Sequence, residues 1–279
     1  MKLSRLGLIF LVGFAIFFTS GCGIINRIRA KNEINEAARA YKAGKYTEAE
    51  EHSRRALELD PDQRNAPIFI ARTVHAQYRP GNETPENIAI AERAIAAYKF
   101  VLEKDPKNEE GYLAVTALLG AIKKEAEQRQ WILQHAANQE IPADKRAGAY
   151  ALLASQNWNC VYQITELAKK TEGTKVIWEK PKEQKDYDKA QQCLKDGLAE
   201  AEQGIALDPN SELAWTYKTN LLREQAKIAE MDGKADEKDK LNKQADEAEK
   251  KMQALAEENR KKKEAEDAAK QKEGQQSGQ

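Results

Sequence analysis

The chain has 279 residues, 41% of them hydrophobic, 7% aromatic and 32% charged, with 45 basic against 45 acidic side chains. Balanced, interspersed charge lacks the clustered basic surface that displaces counterions from phosphates, which excludes a nucleic-acid partner. Scarce aromatics beside abundant Ala, Glu, Lys and Leu exclude one thick core and predict helices that bury thin apolar stripes.

Lys2 and Arg5 precede an apolar run from Leu6 to Phe18, after which the small residues Thr19, Ser20 and Gly21 lead to Cys22. This is the layout of a secretory signal. The run alone is short for a bilayer core of about 30 Å, which takes roughly 20 apolar residues, so a spanning anchor must recruit the chain as far as Ile25. Thr19-Ser20-Gly21-Cys22 resembles the lipobox of bacterial lipoproteins, with Thr19 where that motif usually has Leu. The resemblance implies cleavage after residue 21, a lipid such as palmitate on Cys22 and a lipidated linker over residues 22–32. Gly23, standing where an Asp would retain the protein in the inner membrane, implies an outer-membrane lipoprotein facing the periplasm. The alternatives are an uncleaved inner-membrane anchor with a periplasmic body and, third, plain secretion after cleavage at Gly21, which would leave a Cys at the cut without a use.

Three later segments end alike, at Asp60-Pro61, Asp105-Pro106 and Asp208-Pro209. Proline disfavours helical geometry at the residue before it, so each helix must stop there and a new one begin a few residues on. In the first such unit, residues 33–61, Ala37, Gly44, Tyr46, Ala49, Ala56 and Asp60-Pro61 stand at the offsets of a tetratricopeptide repeat, which the segment resembles. Glu33 and Glu36 depart from that pattern, as suits a terminal unit whose outer side meets water. The resemblance implies an all-α protein, an α-solenoid of about five antiparallel helix hairpins over residues 33–256.

The second unit, Ala66 to Pro106, carries an enlarged turn from Arg79 to Pro85. The third, Glu109 to Pro142, rests on periodicity, with Tyr112, Val115, Leu118, Leu119 and Ile122 on its first helix and Ala126, Trp131, Leu133 and Ala137 on its second. One long helix is expected from Ala143 to about Lys170, then an inserted segment from Gly173 to Lys185 holding β-favouring Val176-Ile177-Trp178, then a helix from Asp186 to Leu207. The last unit begins at Ser211 and turns at Gly233, and its second helix shows a coiled-coil-like seam of Leu241, Ala245, Ala248, Met252 and Leu255. Residues 257–279 form a charged tail, helical at first and disordered from Gly274.

With Cys22 assigned to lipid, Cys160 and Cys193 are an even pair in an oxidising compartment. A disulfide is one reading and two buried thiols the other. If the helices flanking the insertion run antiparallel, Cys193 lies four residues, about 6 Å, from the position facing Cys160. His52, His75 and His135 are scattered and no CxxC or HExxH spacing occurs, so neither a metal site nor a cofactor is expected.

Phosphate-binding loops and nucleophile elbows are absent, and the many Glu residues at i, i+4 from Lys read as exposed helix faces, so no enzyme is expected. The tetratricopeptide resemblance implies partner proteins held on the face of the first helices. That face would present Lys31, Ile34, Ala38, Tyr41 and Lys42 in the first unit, and Leu213, Thr216, Asn220, Arg223 and Glu224 in the last. Ile34 and Ala38 stand where the family's chaperone-tail clamp has Lys and Asn, so recognition of a terminal carboxylate is not implied. A packing role for Ile34 and Tyr41 stays open, and Trp178 either packs back onto the array or meets a partner. The expected function is a non-enzymatic, lipid-anchored scaffold binding partner proteins in a cell-envelope assembly. The second reading is a periplasmic ligand- or glycan-binding module built around Trp158 and Trp178.

Overall fold

The computed structural model describes the backbone of residues 5–276 and the side chains of residues 23–270. The expected leader and lipidated Cys22 fall outside the described side chains. Ten helices and two strands are present among the described residues: α1 (Arg5–Lys42), α2 (Tyr46–Leu59), α3 (Ala66–Gln77), α4 (Pro85–Lys104), α5 (Glu109–Ala121), α6 (Glu125–Ala137), α7 (Ala143–Leu167), β1 (Lys169–Glu172), β2 (Lys175–Trp178), α8 (Gln184–Leu207), α9 (Glu212–Met231) and α10 (Ala235–Gln276). The fold is all-α and tetratricopeptide-like, built of successive antiparallel hairpins. The chain divides into two compact units, residues 1–128 and 129–279, with the division inside α6.

The same local chemistry ends helix after helix. Asp60, Asp105 and Asp208 are C-caps with φ of −140°, −138° and −140°, the extended backbone that the following proline requires, and each still gives its N–H to the helix, to Ala56, Val101 and Gly204. Thr84, Asn108 and Ser211 cap the helices that follow, accepting from the backbone N–H groups of Asn87, Gly111 and Ala214. Between the helices of a hairpin the turn also repeats. Gly44, Lys123 and Gly233 hold φ of 74°, 60° and 73°, and the next residue in each case, Lys45, Lys124 or Lys234, reaches back to the carbonyl of Ala40, Leu119 or Ala229. This is the Schellman closure, which needs a left-handed residue.

In unit 1 the helices approach closely because Ala37, Ala49, Ala56, Ala66 and Ala71 are fully buried where they cross. In unit 2, α7, α8 and α9 pack on one another around Val161, Leu194, Leu221 and Ile228. A charge lies inside this unit: Glu200 is 8% exposed and accepts from Arg129 at 2.5 Å and Asn157 at 2.7 Å. Burial pushes its carboxyl up, and the Arg129 guanidinium opposes that rise. Cys160 of α7 and Cys193 of α8 are joined, with sulfurs 2.10 Å and Cα atoms 6.2 Å apart.

Several expectations are corrected. Residues 22–32, expected as a linker, are helical and continue into the first hairpin within α1. On α6 the buried residues are Ile132 and Ala136, while Leu133 is 40% exposed and Trp131 half-buried. The face is turned by one residue, about 100°, from the expected one. The long helix α7 stops at Leu167, and the insertion becomes a β-hairpin with Lys169 opposite Trp178 and Glu172 opposite Lys175. At the other end α10 runs on through Gln276, into the stretch expected to be disordered.

Candidate functional site

In unit 1, α1, α3, α4 and α5 shape a groove of about 420 Å³ lined by Tyr41, Arg72, His75, Tyr78, Tyr98 and Glu110, with Tyr98 supplied by the second helix α4. Arg72 donates a two-pronged bond to Glu110, Nε to Oε1 at 2.6 Å and Nη2 to Oε2 at 2.5 Å, across 38 residues of sequence. This fork draws the Glu110 carboxyl down and the Arg72 guanidinium up from their ordinary values. His75 stands edge-on to Tyr98, with ring centres 5.8 Å apart and its Nδ1 3.3 Å from the phenol oxygen. Burial lowers the His75 pKa and pushes Tyr98 up to about 12, so both are neutral at physiological pH. Tyr41, 37% exposed, leans on Tyr46 with ring centres 5.3 Å apart. Tyr41 is thus the exposed tyrosine of this surface, Tyr78 and Tyr98 being buried beneath it, and its one charge pair is internally neutralised. That suits apolar or aromatic side chains of a polypeptide, held in register by the exposed polar edge of the fork.

Unit 2 carries a chain of rings. Trp158 lies 5.3 Å from Tyr162 and 6.2 Å from Tyr217, and Tyr162 is 39% exposed. Lys227 of α9 is held between two rings, 5.4 Å from Tyr162 and 5.2 Å from Trp178, and is paired with Glu224 at 2.8 Å and Glu166 at 3.5 Å. Trp178 also gives its backbone N–H to Glu230 at 3.4 Å. The β-hairpin is therefore folded back onto α9 and fixed there by its tryptophan. Trp178→Ala should destabilise unit 2 by about 1–3 kcal/mol and so lower its unfolding midpoint, because Lys227 loses one of its two rings and the hairpin its apolar anchor. Thermal unfolding of the full chain checks this; an unchanged midpoint would show that the hairpin rests on α9 without holding it.

The structure separates the residues expected on the partner-facing side. Ile34 is 9% exposed and packs with Ala30, Ala56 and Ala66 in the core, so it is not available to a partner. Tyr41, two turns further along α1, does line the groove. Glu224 is 3% exposed, held by Thr165 and Lys227. Arg223 turns to α10 and pairs with Glu249 at 2.5 Å, and Asn220 is half-buried on α9. Arg72, His75, Tyr98 and Glu110 escaped sequence reasoning because the second and third units carry few signature positions from which a face could be assigned. Among the described residues no group of three His, Cys, Asp or Glu side chains is placed to hold a metal ion.

No family model matches the chain, and no curated relative does either. Solved structures are similar in fold. A MamA double mutant from strain RS-1 is 17% identical, with a TM-score of 0.45 over 83% of this chain and 96% of that one. A crystal structure from Bacteroides ovatus is 14% identical, with a TM-score of 0.37 over 71% of this chain and 98% of that one. The TPR2AB domain of yeast Sti1, solved in complex with pHSP90, is 13% identical, with a TM-score of 0.30 over 81% and 96%.

Proposed function

We propose that the chain is a non-enzymatic, membrane-anchored scaffold that receives a segment of a partner protein in the Tyr41–Arg72–Tyr98 groove of unit 1. The observation that carries this reading is the groove itself, where exposed Tyr41 of α1 stands beside the exposed fork between Arg72 of α3 and Glu110 of α5, over a floor made by the buried Tyr78 and Tyr98. Anchoring through lipid on Cys22, outer-membrane sorting and a role in an envelope assembly belong to the same proposal. They draw support from the lipobox-like Thr19-Ser20-Gly21-Cys22 and from the Cys160–Cys193 bond, a pairing that persists in oxidising compartments.

Capture from detergent-solubilised membranes tests the groove. Wild-type chain should retain a stoichiometric protein partner, and Tyr41→Ala combined with Arg72→Gln should lose it at least tenfold, the loss typical of interface anchor residues, while circular dichroism shows the helices still folded at the temperature of capture. Equal capture by both would remove the groove from the interaction. The Trp158–Tyr162–Tyr217 rings favour a second reading, a ligand- or glycan-binding module in unit 2. No captured protein, together with ligand-dependent tryptophan fluorescence, would select it.

A further inference from the structure

The first described side chains of α1 do something that a helix packed only on its own hairpin does not explain. Ile24, Ile25 and Ile28 are 62%, 51% and 59% exposed within five residues of one another. At about 100° per residue these three fall within an arc of roughly 100°. On roughly the opposite side of α1, Ala30, Ile34 and Ala37, all 9% exposed or less, make the contact with the rest of unit 1. Arg27 and Lys31 border the isoleucine face on one side and Arg29 on the other, and all three are exposed. Five basic residues and no acidic one precede Glu33, so the remainder of the chain carries the excess of acid that balances them.

An exposed apolar stripe edged by cations, at the end of a balanced chain, is the pattern of a helix lying at a charged lipid surface. Its position supports that occupant, since α1 runs unbroken from Arg5 and the apolar run Leu6–Phe18 precedes the stripe in the same helix. We propose that residues 23–31 form a bilayer-contact site: Ile24, Ile25 and Ile28 enter the acyl boundary, and Arg27, Arg29 and Lys31 bind the headgroups of anionic phospholipids. The basic stems snorkel from the apolar edge to the phosphates. The acidic excess of the rest of the chain is repelled by the same surface, which confines contact to these turns. Both anchoring chemistries deliver the site to the membrane, acyl chains on Cys22 standing half a turn before Ile24 and a spanning helix emerging there. Because α1 continues into the first hairpin, seating this stretch also sets how unit 1 is held at the bilayer. The proposal is independent of any partner in the groove.

The test uses the full chain with Cys22→Ser and Ile28→Cys, labelled at residue 28 with an environment-sensitive fluorophore; Cys160 and Cys193 are bonded and do not react. The chain is reconstituted into vesicles of phosphatidylcholine, or of phosphatidylcholine and phosphatidylglycerol in equal parts, each doped with nitroxide lipid as quencher. Quenching should be stronger in the anionic vesicles, weaken with added salt, and fall severalfold when Arg27, Arg29 and Lys31 are changed to Glu. Neutralisation with Gln at the same three positions should give an intermediate value, and a label moved to Asn35 should stay open to aqueous iodide. A label at 28 that iodide reaches freely in anionic vesicles would overturn the site. Quenching that ignores lipid charge, salt and the Glu and Gln changes would assign its depth to the anchor alone and overturn the headgroup contact. Neither result bears on partner capture.

Discussion

Gly197→Val should cost unit 2 about 3 kcal/mol of stability, and Gly197→Ala should also destabilise, although alanine is ordinarily the better helix former by about 1 kcal/mol. A Cβ on Gly197 of α8 would lie 2.9 Å from the Asn157 Cβ of α7 and 3.0 and 3.1 Å from the two methyls of Leu221 of α9. Three helices converge on the missing side chain. Asn157 cannot step aside freely because its amide is committed to the buried Glu200 carboxylate at 2.7 Å, and Leu221 is fully buried. Gly148 in α7 is the internal control. Nothing lies within 4 Å of its Cβ position, so Gly148→Ala should stabilise by about 0.5–1 kcal/mol through propensity alone. Denaturant midpoints of the three variants give the signs directly. A Gly197→Ala chain more stable than wild type would mean that α7, α8 and α9 can spread apart at little cost.

How much of this was legible depended on whether a position had to be a particular residue type. Asp60, Asp105 and Asp208 could be read as stops because proline constrains the preceding backbone whatever the tertiary context, and each is a C-cap. The turns at Gly44 and Gly233 carry the glycine that a left-handed position favours, whereas the equivalent turn of the third hairpin uses Lys123 at φ 60° and so left no signal. The face of α6 was misassigned because Trp131 and Leu133 are large and apolar, while the residues that pack inside are Ile132 and Ala136. Val176-Ile177-Trp178 could be read as β-favouring but not as one strand of a hairpin, because its partner Lys169–Glu172 is fully charged or polar and fully exposed, with nothing to mark it. At the candidate site Tyr41 was visible through the repeat pattern. The Arg72–Glu110 fork was not, because i, i+4 spacing makes local ion pairs readable and a partner 38 residues away is set by how hairpins stack.

Reducing the Cys160–Cys193 bond should lower the stability of unit 2 by about 3–4 kcal/mol. The bond closes a loop of sequence separation 33, and that loop contains the end of α7, the β-hairpin and the start of α8. Without the crosslink, the unfolded chain regains the freedom of that whole segment, and closure must be driven by helix packing alone. Denaturant titrations of the oxidised chain, the reduced chain and the Cys160→Ser, Cys193→Ser double variant measure the effect, and alkylation without reduction shows whether both thiols are blocked to begin with. Coincident midpoints for the oxidised and double-variant chains would overturn the expected loss. The bond also predicts a coupling. Cys193 lies one turn from Gly197 on α8, and both tie that helix to α7, through Cys160 and through Asn157. When oxidised, the chain cannot relieve an added side chain at 197 by moving α8 away from α7. When reduced, it can. Gly197→Val should therefore cost less in the Cys160→Ser, Cys193→Ser background than in the bonded chain, and the difference between the two costs is the interaction energy a double-mutant cycle reads. Equal costs in both backgrounds would mean that the crosslink bears on the unfolded chain alone and leaves the packing of α7 on α8 untouched.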